Sequence, residues 1–194
     1  MNSKSKGNTF ERDMSRLLSL WWTNGKRDDA IWRSASSGAL TTVGKGRYLA
    51  HTGDFAATDG DAELLFKHVI IEAKRGYNRY SVQDLLDVPT HRLAQNPVYD
   101  MIMKLGITCE TQNKYGLLLW KRDRRELLVF SIKQMNGKNL SLLASNNNCT
   151  VHLPDWVVHG DTWDNFKVNV FSNYLRSLLR PLVASSLSTP STPS

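Results

Sequence analysis

A glutamate and a lysine two residues apart close an apolar run, His68-Val69-Ile70-Ile71-Glu72-Ala73-Lys74-Arg75. Val69 to Ile71 read as a strand buried on both faces, since a short continuous β-branched run suits the middle of a covered sheet. Side chains along a strand repeat with a period of two, so Glu72 and Lys74 project from one face. Upstream, Gly53-Asp54-Phe55-Ala56-Ala57 reads as a second short strand, and Thr58-Asp59-Gly60-Asp61 as the turn that follows it. A hairpin of the two strands places Asp54, eighteen residues before Glu72, at the same end of the sheet. Two carboxylates and one lysine gathered there suit a metal site. They suit equally a salt bridge of Lys74 with Glu72 or Asp54 at the sheet rim.

The elements that must carry these groups follow from periodicity. Phe10, Met14, Leu17, Leu18 and Trp21 fall on one face of a helix. Asn8 has the type of an N-cap, with Glu11 three residues on in capping-box spacing, and Asn24-Gly25 signals the helix end. Two roles are thus open to Glu11, a helix cap or an acid standing over the sheet end. Ala30-Ile31-Trp32-Arg33 reads as a strand entering the small-residue loop Ser34-Ala35-Ser36-Ser37-Gly38, and Gly44-Lys45-Gly46-Arg47 extends that loop. Hydroxyls, backbone N–H groups and basic side chains in a glycine-bearing loop suit phosphate oxygens, and suit a solvated turn as well.

Ser81 and Asp84 have capping-box spacing for a short helix that carries Gln83 in its first turn and ends before Pro89. Asn96-Pro97 opens another helix, with Val98, Met101, Ile102 and Leu105 on one face to about Gln112. Tyr115-Gly116-Leu117-Leu118-Leu119-Trp120 and Glu126-Leu127-Leu128-Val129-Phe130-Ser131 form a strand pair. It is joined through Lys121-Arg122-Asp123-Arg124-Arg125, a charged turn that either touches phosphate or is solvated. Residues 133 to 148 are polar and without period. Residues 162 to 179 carry Trp163, Phe166, Val170, Tyr174 and Leu178 at helical spacing, and the Ser/Thr/Pro-rich end is expected to be disordered. The resulting order is αβββααββ, a mixed β-sheet flanked by helices, because three strands before the crossover do not suit a purely parallel fold. The domain reading is a core over 1–131, an extension with a closing helix over 132–183, and a tail over 184–194.

At 194 residues with 41% hydrophobic and 22% charged content, the chain suits one soluble domain with an appendage. No stretch approaches the ~20 apolar residues needed to span a bilayer, and the N-terminus has no secretory h-region, so a cytoplasmic setting is expected. Cys109 and Cys149 have no paired spacing, and the five histidines show no ligand spacing. The net charge of +7 tilts toward a polyanionic partner.

Taken in order, Gly7-Asn8-Thr9-Phe10-Glu11-Arg12, Arg33 with Ser37-Gly38, Gly53-Asp54, Glu72-Ala73-Lys74 and Gln83 resemble the PD-(D/E)xK nuclease superfamily. Within it the pattern is most similar to Holliday junction resolvases and the resolvase-like nucleases of phages, over roughly residues 7 to 131. One departure is Gly53, where the name-giving motif has proline. The resemblance implies an α/β fold with a restriction-endonuclease-like core, a divalent metal, and hydrolysis of DNA phosphodiesters. Carried over by residue, it implies Glu11, Asp54, Glu72, Lys74 and Gln83 as catalytic groups. Asp54, Glu72, the Ala73 carbonyl and Glu11 become candidate ligands of Mg2+, which takes a few carboxylate oxygens and keeps waters; Mn2+ is expected to substitute. Arg33, Ser37, Lys45, Arg47 and Arg75 are the expected DNA contacts. A branched substrate cut symmetrically calls for two active sites and hence a homodimer. The rival readings are a duplex nuclease of the restriction or repair type, a nucleic-acid-binding module without catalysis, and an assembly protein.

Overall fold

The computed structural model describes residues 3–34, 51–86, 95–134, 149–152 and 156–169. The chain opens with helix α1 (Ser3–Trp22), followed by strand β1 (Ile31–Arg33), β2 (His51–Thr52) and β3 (Phe55–Ala57). Helix α2 (Gly60–His68) leads into β4 (Val69–Arg75), and α3 (Gln83–Leu86) and α4 (Pro97–Gln112) cross to β5 (Tyr115–Lys121). Then come β6 (Leu127–Gln134), β7 (Cys149–His152), β8 (Trp156–Thr162) and α5 (Trp163–Asn169). Among the described residues, β4-β5-β6-β8-β7 make one mixed sheet, parallel between β4 and β5 and antiparallel elsewhere. A small antiparallel sheet, β1-β3-β2, stands beside it and touches the free edge of β4 through a parallel bridge from Gly53 to Ile71. The fold class read from the sequence, a mixed sheet flanked by helices, is the one observed.

Strand alternation divides the core. Val69, Ile71, Ala73, Leu117, Leu119 and Val129 face α1, α2 and α5, with Phe10, Met14, Leu18, Trp22, Phe66 and Phe166 packed on them. Ile70, Leu118, Trp120, Phe130, Ile132 and Val158 face α3 and α4, where Leu85, Val98, Ile102 and Leu105 cover them. With both faces covered, the strands read as continuous apolar runs rather than alternating ones.

Three readings from the sequence need correction. The turn at residues 58 to 61 does not close a hairpin. Asp59 instead caps α2, its carboxylate accepting from the Ala62 N–H at 3.0 Å, and Ala62, Leu65 and Phe66 are buried beneath that helix. The signal was present, since Asp59 stands before an i, i+3, i+4 apolar series with acids in the first turn and bases in the last. Strand β3 accordingly pairs with β1 and β2 rather than with β4. Secondly, α1 starts at Ser3, so Asn8 lies inside the helix and is not its cap; the Asn8 Oδ1 accepts from Arg33 instead. Glu11 therefore has no capping role. Thirdly, the reading beyond residue 132 lacked two strands. β7 and β8, between the stretch read as irregular to 148 and the helix read from 162, continue the main sheet, and α5 holds the first part of that helix. The expected tail and the rest of the closing helix lie outside the described residues.

Candidate active site

Strand β4 delivers its Glu72 and Lys74 side chains to the α3–α4 face, in phase with the buried Ile70. The strand's last residues lie past the covered core, so these two groups are half-buried rather than enclosed. Asp54 arrives from the other side by a different device. Gly53 adopts φ +74°, and a Cβ there would stand 2.5 Å from the Ile71 carbonyl oxygen, so glycine alone fits this approach to the edge of β4. This also accounts for the departure from proline, whose ring fixes φ near −65°.

Asp54 is then bolted in place. Its N–H donates to the Ile71 carbonyl at 3.0 Å, its carbonyl accepts from the Ser34 N–H at 2.9 Å, and the Ser34 hydroxyl donates to the Gly53 carbonyl at 2.8 Å. One oxygen of its carboxylate accepts from the Ala73 N–H at 2.9 Å and from Lys74 Nζ at 3.1 Å, and Lys74 Nζ donates to Glu72 at 2.6 Å. The three side chains are 18%, 33% and 25% exposed for Asp54, Lys74 and Glu72, open enough to reach a substrate. The N–H and C=O of one strand residue face the same edge, so the Ala73 carbonyl faces the Asp54 side. The expectation that Asp54, Glu72 and Lys74 converge is thereby met, through a parallel bridge and not a hairpin.

Burial raises Glu72 above its ordinary value, and the Asp54 carboxylate adds to this, against the pull of Lys74. Burial acts to lower Lys74, but the carboxylates of Asp54 and Glu72 outweigh it and hold the amine above its ordinary value. In this state Lys74 is an ammonium. It can donate hydrogen bonds to a phosphate oxygen or a water, and has no lone pair with which to take a proton.

Glu11 occupies a second cluster. Arg33, on β1, donates from Nε to the Glu11 carboxylate at 2.6 Å and from Nη2 to Asn8 at 3.1 Å. Arg33 is only 5% exposed where Lys74 is 33%, so the cation of this pair is buried and fixed while its carboxylate is about as exposed as that of Asp54. β1 is held against α1 by Ser19, whose hydroxyl accepts from the Ile31 N–H at 2.9 Å. Burial raises Glu11 first, Arg33 opposes it, and Asp54 lies near enough to raise it further. Arg33, an expected DNA contact, is thus placed beneath the surface against Glu11. Ser34 and Asn8, read from the sequence as a loop residue suited to phosphate and as a helix cap, serve instead to hold Gly53 and Arg33. Their partners are nineteen to twenty-five residues away, so no local spacing announces them.

Gln83 opens α3, exposed, with Leu85 of that helix in the core on the same sheet face as Glu72 and Lys74. Ser81 and Asp84 exchange the expected capping bonds, 2.9 Å from the Ser81 hydroxyl to the Asp84 carboxylate. Arg75 is paired with Asp123 at 3.4 Å. Ser37, Lys45 and Arg47 lie outside the described residues.

The donor set fits a hard divalent cation in type. Asp54 and Glu72 already share one positive charge, the Lys74 ammonium, and a main-chain carbonyl faces the same edge. Among the described residues no group of three or more His, Cys, Asp or Glu side chains gathers closely enough to hold a metal ion, so the carboxylate pair stands apart from Glu11. Mg2+ is compatible with so sparse a set, because it binds through one or two carboxylates and completes its shell with water and phosphate.

A mixed, helix-flanked sheet with aspartate, glutamate and lysine meeting at the end of one strand defines a restriction-endonuclease-like α/β protein. Residues 2–153 match the family described as "Phage putative PDDEXK endonuclease", and the chain belongs to that family of nucleases. Neither the curated proteins nor the solved structures include a match to it. No helix among the described residues is long and apolar enough to cross a membrane.

Proposed function

We propose that the protein is a Mg2+-dependent DNA endonuclease acting on branched DNA, as a homodimer, in the cytoplasm of the phage's host. The observation that carries the nuclease reading is the meeting of Asp54, Glu72 and Lys74 around one point at the C-terminal end of β4. Asp54 and Glu72 would hold the ion, with the Ala73 carbonyl as a further oxygen. Mg2+ so bound supplies Lewis acidity toward phosphate oxygen and lowers the pKa of water. The protein's own groups do the rest. Fixed by the Ala73 and Ser34 bonds, Asp54 presents its carboxylate without reorganisation. Lys74, relieved of its two carboxylates, orients the attacking water or steadies the charge that builds on phosphate. Arg33 keeps Glu11 pointed toward this end of the sheet, and Gln83 stands on the same face to touch Lys74 or the scissile phosphate.

The choice of branched DNA rests on the ordered likeness of the motifs to resolvases, and the dimer on the need for two cuts related by symmetry. The test is cleavage by the full chain in Mg2+, Mn2+ and EDTA on four-way junction, flap, duplex and single-stranded DNA. Expected is metal-dependent cleavage with the junction preferred in competition, by a species of twice the chain mass in light scattering. Equal cleavage of linear duplex would replace the resolvase reading by a general duplex nuclease. Absence of metal-dependent cleavage on every substrate would overturn the enzyme.

A further inference from the structure

The loop that follows Lys74 is not free chain. Over residues 76–80 it is docked on the β5–β6 turn, residues 122–125. The Gly76 N–H donates to the Lys121 carbonyl at 3.0 Å and Trp120 Nε1 donates to the Gly76 carbonyl at 3.2 Å. Asn78 Oδ1 accepts from the Asp123 N–H at 2.8 Å while its Nδ2 donates to the Asp123 carboxylate at 3.1 Å. Arg122 donates to the Tyr80 carbonyl at 2.8 Å, with its guanidinium 4.9 Å from the centre of the Trp120 ring. Tyr77 and Arg124 both sit at φ +58°, a backbone state that non-glycine residues keep only where their surroundings impose it.

This docked pair lies at the active end of the sheet. β4 and β5 run parallel, with Lys74 opposite Trp120 and Arg75 opposite Lys121, so both strands emerge on the side where Asp54 and Glu72 meet. Residues 75–80 and 121–126 hold Arg75, Arg79, Lys121, Arg122, Arg124 and Arg125 against Asp123 and Glu126, a net +4 of the chain's +7. Asp123 is spent internally on Arg75 and Asn78. Arg79, Arg124 and Arg125 are exposed, and among the described residues no carboxylate pairs with them. A solvated turn would need no such scaffold. Here unpaired arginines are displayed on a rigid support.

We infer that residues 76–80 and 122–125 form one rigid basic apron that tracks the DNA phosphate backbone beside the Asp54–Glu72 site, with Arg79, Arg124 and Arg125 as its phosphate contacts. The inference rests on the nuclease reading above. Arg79 stands five residues after Lys74, at most about 17–18 Å along the chain, so the apron meets phosphates within a few nucleotides of the one to be cut. Contacts of this kind fix register and orientation and carry no base sequence.

The experiment compares three full-length proteins in EDTA, binding a duplex and a four-way junction across a salt series. They are the wild type, an Arg79→Ala/Arg124→Ala/Arg125→Ala variant, and an Arg16→Ala/Lys67→Ala/Lys104→Ala variant that removes equal charge elsewhere. Removal of one arginine from a phosphate should reduce the slope of log affinity against log salt by about 0.9, so the apron variant should drop by about 2–3 in slope and tenfold or more in affinity. The other variant should keep the wild-type slope, and an Arg-to-Lys triple at the apron should keep most of it. An unchanged slope in the apron variant, or equal reductions in both alanine triples, overturns the apron while wild-type cleavage in Mg2+ leaves the nuclease standing. A wild type that neither binds nor cleaves DNA overturns both.

Discussion

Two acid–base clusters stand at one end of this fold, and they are built differently. Asp54, Lys74 and Glu72 share one ammonium between two carboxylates at a partly open rim. Glu11 and Arg33 make a closed pair, with Asn8 taking a further guanidinium bond. In the first cluster the cation is the group that can be displaced, and its carboxylates are the useful product. In the second the cation is buried and fixed, and what it offers is the position of one carboxylate. An open pair with exchangeable partners suits chemistry; a closed pair suits positioning.

That contrast can be broken at its open half first. Glu72→Ala and Lys74→Ala should each reduce cleavage by about 10²–10³-fold, the loss typical of one group that stabilises developing charge. Both side chains are half-buried at the rim. Glu72→Ala leaves Lys74 paired with Asp54 and should melt near the wild type, whereas Lys74→Ala leaves Asp54 and Glu72 without their cation and should melt somewhat earlier. Cleavage within a few-fold of wild type in either variant would remove the site from this strand. At the closed half the balance reverses. Arg33→Ala leaves the half-buried Glu11 carboxylate without its cation and empties the buried place of the guanidinium, a loss of about 1–3 kcal/mol. A denaturant titration should show that loss, while Arg33→Lys restores part of it. An Arg33→Ala protein of wild-type stability that loses only DNA affinity would instead make Arg33 a DNA contact.

The same contrast explains what the sequence could disclose. Glu72 and Lys74 are two apart on a strand, and period-two geometry puts them on one face whatever the rest of the chain does. Their convergence with Asp54 was legible as an outcome but not as a route. The stretch at residues 58 to 61 has turn composition and helix-cap composition at once, and the cap won because Ala62, Leu65 and Phe66 bury against the sheet. The role of Glu11 was illegible for a related reason. Asn8 and Glu11 have capping spacing, yet the helix runs on to Ser3, and Arg33 from a separate strand claims both side chains. The pairing of β7 and β8 onto β6 depends on partners well separated along the chain, and short segments such as Cys149–His152 carry too few residues for a period to show.

Between the two clusters lies Gly53, and it offers a smaller effect. Gly53→Ala puts a side chain on left-handed backbone at a cost of about 1–2 kcal/mol. It also drives a Cβ toward the Ile71 carbonyl, which must shift the Asp54 segment. Stability and cleavage should therefore fall together, whereas Glu72→Ala separates them. Should Gly53→Ala melt earlier yet cleave normally, Asp54 does not depend on this bridge for its place.

The smallest effect is in the stability of the open cluster itself, and its sign is the informative part. Glu72 titrates above the ordinary 4.5 in the folded protein, chiefly from burial and then from Asp54. Between its unfolded and folded values the native state holds more protons than the unfolded one. Glu72 therefore contributes its stability fully below the unfolded value and loses it as pH rises through the folded value. At neutral pH its ionised form is a net burden, although Lys74 is 2.6 Å away. In EDTA, Glu72→Gln should accordingly melt at or slightly above the wild type at pH 7, while cleaving poorly in Mg2+. As the pH falls toward 4.5 the wild type should gain on the variant and the two melting curves converge. If Glu72→Gln is instead less stable at pH 7 and the gap closes only on acidification, the Lys74 bond outweighs burial, and the pair is a structural salt bridge rather than a site held ready for a different cation.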